Sequence, residues 1–219
     1  ILLLMEVGGF GFMTSSTLLL LLAGHRTSLQ DRLLLQESLG GGALGSTLRL
    51  AQNTLLFMLV VQAAGAVVLT AAFLPEQPPH LAVWWGVFHS VSAFTNGSFD
   101  LTGGFRSMTP YRDAPLVLLT LSGLIIAGGI SFTVVQDLAR RRRFRRLTVD
   151  SKLVLVVTAA LLLGGTLVLL FTERMNGGTF AGLPLGTRIV NALFLSAATR
   201  TSGFNAVDVA ALTDGSLLI

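Results

Sequence analysis

The chain has 219 residues, of which 52% are hydrophobic and 12% are charged. Soluble domains carry about 25% charged residues, so this composition excludes an ordinary soluble fold and favours a membrane protein. The absence of cysteine excludes disulfides, thiolate metal sites and cysteine nucleophiles. The net charge of +4 comes without the pattern of a nucleic-acid-binding fold, so we expect no nucleic acid among its partners.

Four stretches that lack any charged residue or histidine are long enough to cross a bilayer. They cover 7–24, 50–75, 114–136 and 153–172. Each stretch matches the roughly 17–25 residues of a transmembrane helix. One buried helix of a soluble protein could imitate one such stretch, but not four. The sequence therefore predicts an all-α integral membrane protein that lies in the lipid bilayer.

The basic residues are concentrated in two loops on the same predicted side of the membrane. Loop 25–49 holds three arginines, and loop 139–152 holds the six arginines of RRRRFRR and Lys152. Cytoplasmic loops are rich in Lys and Arg, so both loops are predicted to face the cytoplasm from the plasma membrane. The arginine run is explained as a topology anchor, and the alternative is a contact with anionic lipid or a regulatory subunit.

Two further apolar stretches, Leu81–Phe94 and Thr187–Thr199, are too short to span a bilayer. They end in the polar sequences TNGSFD (95–100) and RTSGFN (200–205). Non-helical backbone at membrane depth is tolerated only when it is buried in protein or lines a water-filled cavity. We therefore predict two re-entrant half-helices, with helices lying flat on the outer surface as the alternative.

The chain also repeats itself. An offset of 105 residues places NGSF (96–99) over TSGF (201–204), and GGISF (128–132) echoes GGFGF (8–12). The repeating unit is a span, a half-helix, a polar loop and a second span. Several such loops around an axis can offer carbonyl oxygens that replace the hydration shell of an ion. The half-helices would direct their partly negative C-terminal ends to the same place. The pattern predicts a pseudo-fourfold cation pore completed by further units outside this sequence.

Four motifs carry a resemblance to a known family: GGFGFMT (8–14), HSVSAFTNGSFDLTGGF (89–105), GLIIAGGISFTVVQDL (123–138) and ATRTSGFNAVDV (198–209). Together they resemble the membrane subunit of the Trk/Ktr/HKT potassium transporters, and most closely the Ktr type. The resemblance implies four repeats of helix, pore loop and helix, with a K⁺-channel-like pore, and makes this sequence a fragment of that chain. It divides the sequence into 1–24 (last helix of repeat one), 25–48 (cytoplasmic connection), 49–138 (repeat two, pore loop 81–99), 139–149 (basic cytoplasmic loop) and 150–219 (most of repeat three, pore loop 187–204).

The same resemblance implies a function, a site and partners. It implies potassium uptake, with Na⁺ as a coupled or co-permeating ion. The implied selectivity filter consists of Asn96, Gly97, Ser98, Phe99, Thr201, Ser202, Gly203 and Phe204. K⁺ would be held by the backbone carbonyls of Asn96, Gly97, Thr201 and Ser202. The implied supporting residues are Thr95, Asp100, Arg200 and Asn205. The implied assembly is a homodimer on a cytosolic RCK-type regulatory ring that alone binds nucleotide, with 139–152 as a candidate contact.

Two residues in or beside the loops are unexpected for a cation filter, namely Ser98 and Arg200. The family usually has glycine before the last hydrophobic residue of the loop. The third loop has Gly203 at this position, but the second loop has Ser98. A Cβ there penalises left-handed backbone angles, which gives the hypothesis that Ser98 weakens discrimination of K⁺ from Na⁺. Arg200 is expected to point away from the ion and to pair with an acid in the fourth repeat.

The roles of several other polar and small residues have two interpretations each. Glu6 is read as an outer-interface carboxylate or as an acid near the pore mouth. Gln62 is read as lining a pathway or as bonding a neighbouring helix. Asp100 either attracts cations or caps the chain after the loop. The pairs Gly8-Gly9 and Gly128-Gly129 are expected to permit close helix packing rather than hinge motion.

Two other classes of protein compete with a transporter. A membrane enzyme would use Ser202 as its nucleophile, but the only histidines of the chain are His25, His80 and His89, and none is a plausible base for it. We therefore expect no enzyme. A non-conducting membrane scaffold for cytosolic partners remains the alternative, although it leaves the paired polar loops without a role.

Overall fold

The computed structural model describes residues 1–10 and 44–217, and over these residues the chain is helical with short connections. The α-helices are α1 (Leu2–Phe10), α2 (Leu44–Phe73), α3 (Pro79–Phe94), α4 (Pro115–Gly129), α5 (Phe132–Arg141), α6 (Val149–Thr172), α7 (Leu185–Thr201) and α8 (Asp214–Leu217). Short 3₁₀ turns lie at Thr109–Tyr111, Phe144–Arg146 and Val209–Ala211. Most of the predicted span 7–24 and of the connection 25–48 lies outside the described residues.

Two helices are long and apolar enough to cross a membrane. They are α2, over Gln52–Phe73, and the whole of α6. Both expose large apolar side chains, such as Leu56 on α2 and Leu163 on α6, as a lipid-facing surface would. These helices coincide with two of the four predicted spans and confirm the all-α membrane class.

The third predicted span is broken. The sequence predicts one continuous helix over 114–136, but α4 ends at Gly129 and α5 leaves it at an angle of 96°. Backbone at Ile130 and Ser131 is extended between the two helices. The expectation of a straight span is therefore wrong beyond Gly129. A physical reason is the charge of α5, whose carboxylate and arginines would be costly inside the hydrocarbon.

The two predicted half-helices are present as α3 and α7. They have 16 and 17 residues, or about 24 to 26 Å at 1.5 Å per residue. Both start two residues earlier than predicted, directly after Pro78 and Pro184, because proline is compatible with the first turn of a helix. α3 packs along α2, α7 packs along α6, and α4 lies between them in contact with α2, α3 and α7.

The internal repeat is visible in the packing of the half-helices on the spans. In each repeat a serine of the half-helix donates a hydrogen bond to a carbonyl of the preceding span. A glycine three residues further along that span leaves room for the hydroxyl. The two sets are Ser90 to the Gln62 carbonyl (2.7 Å) beside Gly65, and Ser196 to the Leu162 carbonyl (3.0 Å) beside Gly165.

Candidate functional site

The two polar loops that follow α3 and α7 lie side by side. The Thr201 hydroxyl donates to Asn96 Oδ1 at 3.0 Å, and the Gly203 N–H donates to Ser98 Oγ at 2.5 Å. Ser98 Oγ also lies 2.5 Å from Ser202 Oγ. The first two contacts join residues 105 apart, which is the offset of the repeat. The structure therefore brings equivalent positions of the two loops together, as expected for neighbouring walls of one pore.

We call the loop that follows α3 the second loop and the loop that follows α7 the third loop, after the repeats to which they belong. The second loop is turned back onto its own half-helix. The Gly97 N–H donates to the Ser92 carbonyl at 2.9 Å, and the Ser92 hydroxyl donates to the Phe99 carbonyl at 2.7 Å. Asn96 and Ser98 have φ values of 56° and 57°, in the left-handed region that side chains with a Cβ rarely adopt. The sequence led us to expect glycine at such positions. In this loop two polar residues take them, and Gly97 between them does not.

The need for glycine at position 97 comes from a close neighbour and not from the backbone angle. A Cβ at Gly97 would lie 3.0 Å from Met5 Sδ, and one at Gly9 would lie 2.6 Å from Thr95 Cγ2. The small residues thus let α1 pack directly behind the second loop. Gly128 serves the same purpose from the other side, since a Cβ there would overlap the Phe94 carbonyl oxygen at the end of α3. Gly9 and Gly128 permit close packing, as expected, whereas Gly8 has open space around it.

The third loop has a more ordinary backbone. Ser202 is extended, with φ −112° and ψ 162°, and Gly203 lies outside the left-handed region. The Cβ that Gly203 lacks would be 3.4 Å from Ser98 Cβ, which is ordinary contact. Phe204 is buried at 2% exposure, whereas its counterpart Phe99 is 50% exposed. Equivalent positions in the two loops therefore have different surroundings.

The segment after the second loop braces the third loop. The Asn205 N–H donates to Ser107 Oγ at 3.1 Å, and the Met108 N–H donates to the Asn205 carbonyl at 2.8 Å. Asp100 accepts hydrogen bonds from the Thr102 N–H at 3.0 Å and from the Thr102 hydroxyl. The structure thus displays the capping arrangement for Asp100, and it holds Asn205 through its backbone.

Arg200 turns towards the span rather than towards the second loop. Its Nη2 lies 3.4 Å from Thr158 Oγ1 on α6. Within residues 1–10 and 44–217 no acidic side chain forms an ion pair with it. Its acidic partner in the fourth repeat therefore stays a prediction.

His89 is a supporting residue that sequence reasoning missed. It is fully buried on α3, beside Phe73 and Trp85. Its Nδ1 lies 2.8 Å from the Trp85 carbonyl, which can only accept, so Nδ1 carries the proton. Its Nε2 lies 3.3 Å from the Leu101 N–H, which can only donate. The neutral ring thus ties the segment after the second loop to the half-helix. A lone histidine in an apolar half-helix was the only signal for this role.

Glu6 lies near Gln62. Glu6 follows Met5, which packs on Gly97, so Glu6 lies close to the second loop. The side chain of Gln62 is 4% exposed, and within the described residues neither Glu6 Oε2 nor Gln62 Nε2 has a hydrogen-bond partner. The two interpretations of each residue therefore stay predictions.

A buried carboxylate organises the end of α6 in the third repeat. Glu173 is fully buried after the last residue of α6. Burial would raise the pKa of its carboxyl group, but the hydrogen bonds from Ser216, Thr179 and Thr213 outweigh burial and lower that pKa to about 2. Its donors are the Asn176 amide (2.7 Å), the Thr179 hydroxyl (2.6 Å), the Thr213 N–H (2.9 Å) and hydroxyl (2.6 Å), and the Ser216 hydroxyl (2.5 Å).

We call Glu173 and its hydrogen-bond donors the Glu173 clamp. The second repeat has a weaker counterpart of this clamp. Tyr111 precedes α4 and lies 105 positions before Ser216. Burial and the hydrogen-bonded carboxylate of Glu76 raise the pKa of Tyr111 to about 12. In both repeats, then, an acid that follows the first span interacts with a hydroxyl group beyond the polar loop. Neither the Glu173 contacts nor the contact of Glu76 with Tyr111 was predicted from the sequence.

Comparison with known proteins agrees with this geometry. The model of the TrkH family, described as "Cation transport protein", matches residues 2–219. The "Ktr system potassium uptake protein B" of Vibrio alginolyticus is 40% identical over 218 residues, which cover 99% of this chain and 48% of that protein. The "Potassium/sodium uptake protein NtpJ" of Enterococcus hirae is 35% identical over 216 residues, which cover 99% and 47%.

The same relationship extends to the "Ktr system potassium uptake protein B" of Bacillus subtilis. It is 30% identical over 215 residues, which cover 98% of this chain and 48% of that protein. The chain thus spans about half the length of these relatives, which are named as uptake proteins and not as enzymes. The family resemblance predicted from the four motifs is confirmed: this chain belongs to the TrkH family of cation transport proteins.

Proposed function

We propose that the chain forms part of the membrane pore subunit of a potassium uptake system. K⁺ would pass a filter whose ligands include the backbone carbonyls of Asn96, Gly97, Thr201 and Ser202. One observation carries the proposal: the two polar loops meet through residues that are equivalent in the repeat. Independent loops of a scaffold would have no reason to meet in that register.

The chemistry of the loops favours a cation held by neutral oxygens. Both loops follow the C-terminal ends of half-helices, which carry partial negative charge. Residues 95–99 and 201–204 contain hydroxyl, amide and carbonyl oxygens but no carboxylate. Such a ligand set replaces hydration water without holding the ion too tightly to leave. Na⁺ is the second candidate ion, in line with the printed name of the Enterococcus relative.

The proposed setting is a homodimer of full-length subunits in the plasma membrane, on a cytosolic RCK-type ring that binds the nucleotide. The family resemblance supports this assembly. The placement of the loops 25–49 and 139–152 on the cytoplasmic side is supported by their arginine content.

Uptake of radioactive rubidium into proteoliposomes that contain the full-length transporter tests the proposal. We expect flux that K⁺ inhibits, and about a tenfold or smaller loss of flux in Thr201→Val, which removes the hydrogen bond to Asn96. The matched control is Thr199→Val on the same helix, because the Thr199 hydroxyl bonds only the Ser196 carbonyl of its own helix. Absence of K⁺-sensitive flux in the wild type would refute the proposed function.

A further inference from the structure

The strongest positively charged surface of the described residues is the elbow between α5 and α6. Residues 137–152 contain seven basic and two acidic side chains. All six arginines of the run 140–146 are exposed. Only Arg141 is paired with an acid, at 2.6 Å from Asp137, and the described residues offer no acidic partner to the other five.

The elbow is an ordered structure rather than a loose loop. The Thr148 N–H and hydroxyl donate to Asp137 Oδ2 at 2.8 and 3.1 Å, which ties α5 to the start of α6. Arg141 donates to the Arg146 carbonyl, and Lys152 donates to the Arg145 carbonyl at 3.1 Å. These bonds use backbone acceptors, so the cluster keeps its positive charge.

The direction of α5 places this cluster beside the lipid. α4 is apolar and lies among the helices of the membrane, and α5 departs from it at 96°. A helix at that angle does not continue across the bilayer in the direction of α4. The α5 residue Phe132 packs on Phe57 of α2, with ring centroids 5.7 Å apart, which fixes its inner end. Because arginines are costly inside the hydrocarbon, we place the cluster at the level where lipid head groups begin.

The cluster also has the composition of a membrane-surface segment. Leu138 and Phe144 are 45% and 54% exposed among the arginines. Apolar side chains interleaved with basic ones suit the boundary of head groups and acyl chains. Guanidinium groups suit phosphate because they can donate two parallel hydrogen bonds. On a lipid surface, Leu138 and Phe144 would enter the acyl-chain boundary while the arginines meet the head groups, so one ligand accounts for both sets of side chains.

We propose that the elbow 137–152 binds the head groups of anionic phospholipids in the cytoplasmic leaflet. The bound lipids hold α5 against the membrane and thereby fix the bend that follows the second pore loop. The elbow acts as a lipid site in addition to orienting the chain. This surface is independent of the ion that the pore carries, so its test can fail while the proposed transport function stands.

The test measures the unfolding temperature of the purified full-length transporter in neutral detergent. Added phosphatidylglycerol is compared with phosphatidylcholine of the same acyl chains. We expect a larger upward shift with phosphatidylglycerol, and a decrease of this shift with added salt because salt screens exposed charges. The double variant R143Q/R146Q should lose about half of the difference between the lipids or more. R143K/R146K should retain most of it.

The matched control is R106Q/R112Q, which removes two exposed arginines that precede α4, at the end of that helix away from the elbow. It should keep the wild-type difference. The proposal is overturned if R143Q/R146Q keeps the full phosphatidylglycerol shift, or if the control loses as much of it. It is also overturned if R143Q/R146Q retains the shift but no longer binds the regulatory ring, because the elbow would then be a protein contact.

Discussion

The second and third polar loops occupy equivalent positions in successive repeats, but their backbones are built differently. The second loop has left-handed residues at Asn96 and Ser98. The third loop, over 200–207, has none. Yet the two loops meet in the register of the repeat, through Asn96 with Thr201 and Ser98 with Gly203. The repeat thus preserves where the loops lie and leaves their local conformations free to differ.

The difference changes the interpretation of Ser98. From the sequence, its Cβ was expected to disturb the filter by opposing a left-handed backbone. In the structure Ser98 adopts that backbone, with φ 57°, and its hydroxyl contacts both Ser202 and Gly203. The conformational cost of about 1–2 kcal/mol is of the same order as the gain from the two hydrogen bonds. Ser98 therefore acts as a link between the loops, and its effect on ion selectivity stays a prediction.

The supports behind the loops also differ. At the position 105 residues before Arg200, the second repeat has Thr95, which packs on Gly9 of α1. The second loop is thus held by close contacts of small residues, whereas the third is held by hydrogen bonds from its backbone to the side chains of Ser98 and Ser107. Substitutions that add volume should harm the second loop most, and substitutions that remove hydrogen bonds should harm the third.

The largest effect is expected from Gly128→Ala. Its Cβ would overlap the Phe94 carbonyl, a backbone atom that cannot move without displacing the second loop. We expect a loss of about 3 kcal/mol in stability, at the upper end of what added volume in a packed core costs, and loss of rubidium flux. Gly129→Ala is the matched control beside the third loop, because its Cβ would be 3.6 Å from Thr201 Oγ1. A Gly128→Ala protein with normal yield, unfolding temperature and flux would contradict the close-packing role.

Glu173→Gln should have the next largest effect. The amide would place an N–H group among the five donors that surround the carboxylate, so at least one contact becomes repulsive. We expect a loss of about 2 kcal/mol, seen as a lower unfolding temperature of the purified transporter. Tyr111→Phe in the second repeat should cost less, because its partner Glu76 is exposed. Equal losses would show that the two clamps are equivalent.

The same carboxylate predicts a pH dependence. Its pKa in the folded protein is about 2, below the ordinary value of 4.5. A depressed pKa stabilises the folded state above the ordinary value, and this contribution is lost as the pH falls from 4.5 towards 2. Over that window the stability difference between wild type and Glu173→Gln should therefore shrink. A difference that stays constant from neutral pH to pH ~3 would show that Glu173 is not the titrating group.

Substitutions of Ser98 distinguish the cost of its left-handed backbone from the gain of its hydrogen bonds to the third loop. Ser98→Ala keeps the backbone strain and removes both hydrogen bonds, so it should destabilise the protein by about 1–2 kcal/mol. Ser98→Gly removes the bonds but relieves the strain, so its stability should stay within ~1 kcal/mol of wild type. Flux of rubidium with competing Na⁺ then reports selectivity. Unchanged selectivity in Ser98→Gly would refute an influence of Ser98 on ion discrimination, and equal stability of the two variants would refute the strain.

Features encoded by local sequence were predictable. The half-helices were placed within two residues, because prolines precede them and polar residues follow them. The register between the loops was visible as the offset of 105 residues. The membrane class followed from the composition and from the length of the uncharged stretches. These features depend on neighbours in the chain, or on a repeat that can be read without knowing the fold.

Features that depend on distant contacts were not predictable. The bend after Gly129 lies where α4 passes the Phe94 carbonyl. The Glu173 clamp joins residues about 40 positions apart. The left-handed residues were expected at glycines, but the loop takes these angles at Asn96 and Ser98 because hydrogen bonds to Thr201 and Gly203 hold them. Hydrogen bonds between distant segments decide such cases, and the residue type alone does not.

The smallest effect is expected behind the third loop, where Arg200 contacts Thr158 at 3.4 Å. A hydrogen bond of this length is weak, so Thr158→Val should cost only ~0.5 kcal/mol. Arg200→Ala should cost clearly more if the guanidinium also pairs with an acid of the fourth repeat, because that acid would be left buried and unpaired. The unfolding temperatures of the two single variants and of the double variant distinguish these cases. If Arg200→Ala costs no more than Thr158→Val, Thr158 is its only partner of consequence, and no acid of the fourth repeat supports the third loop through Arg200.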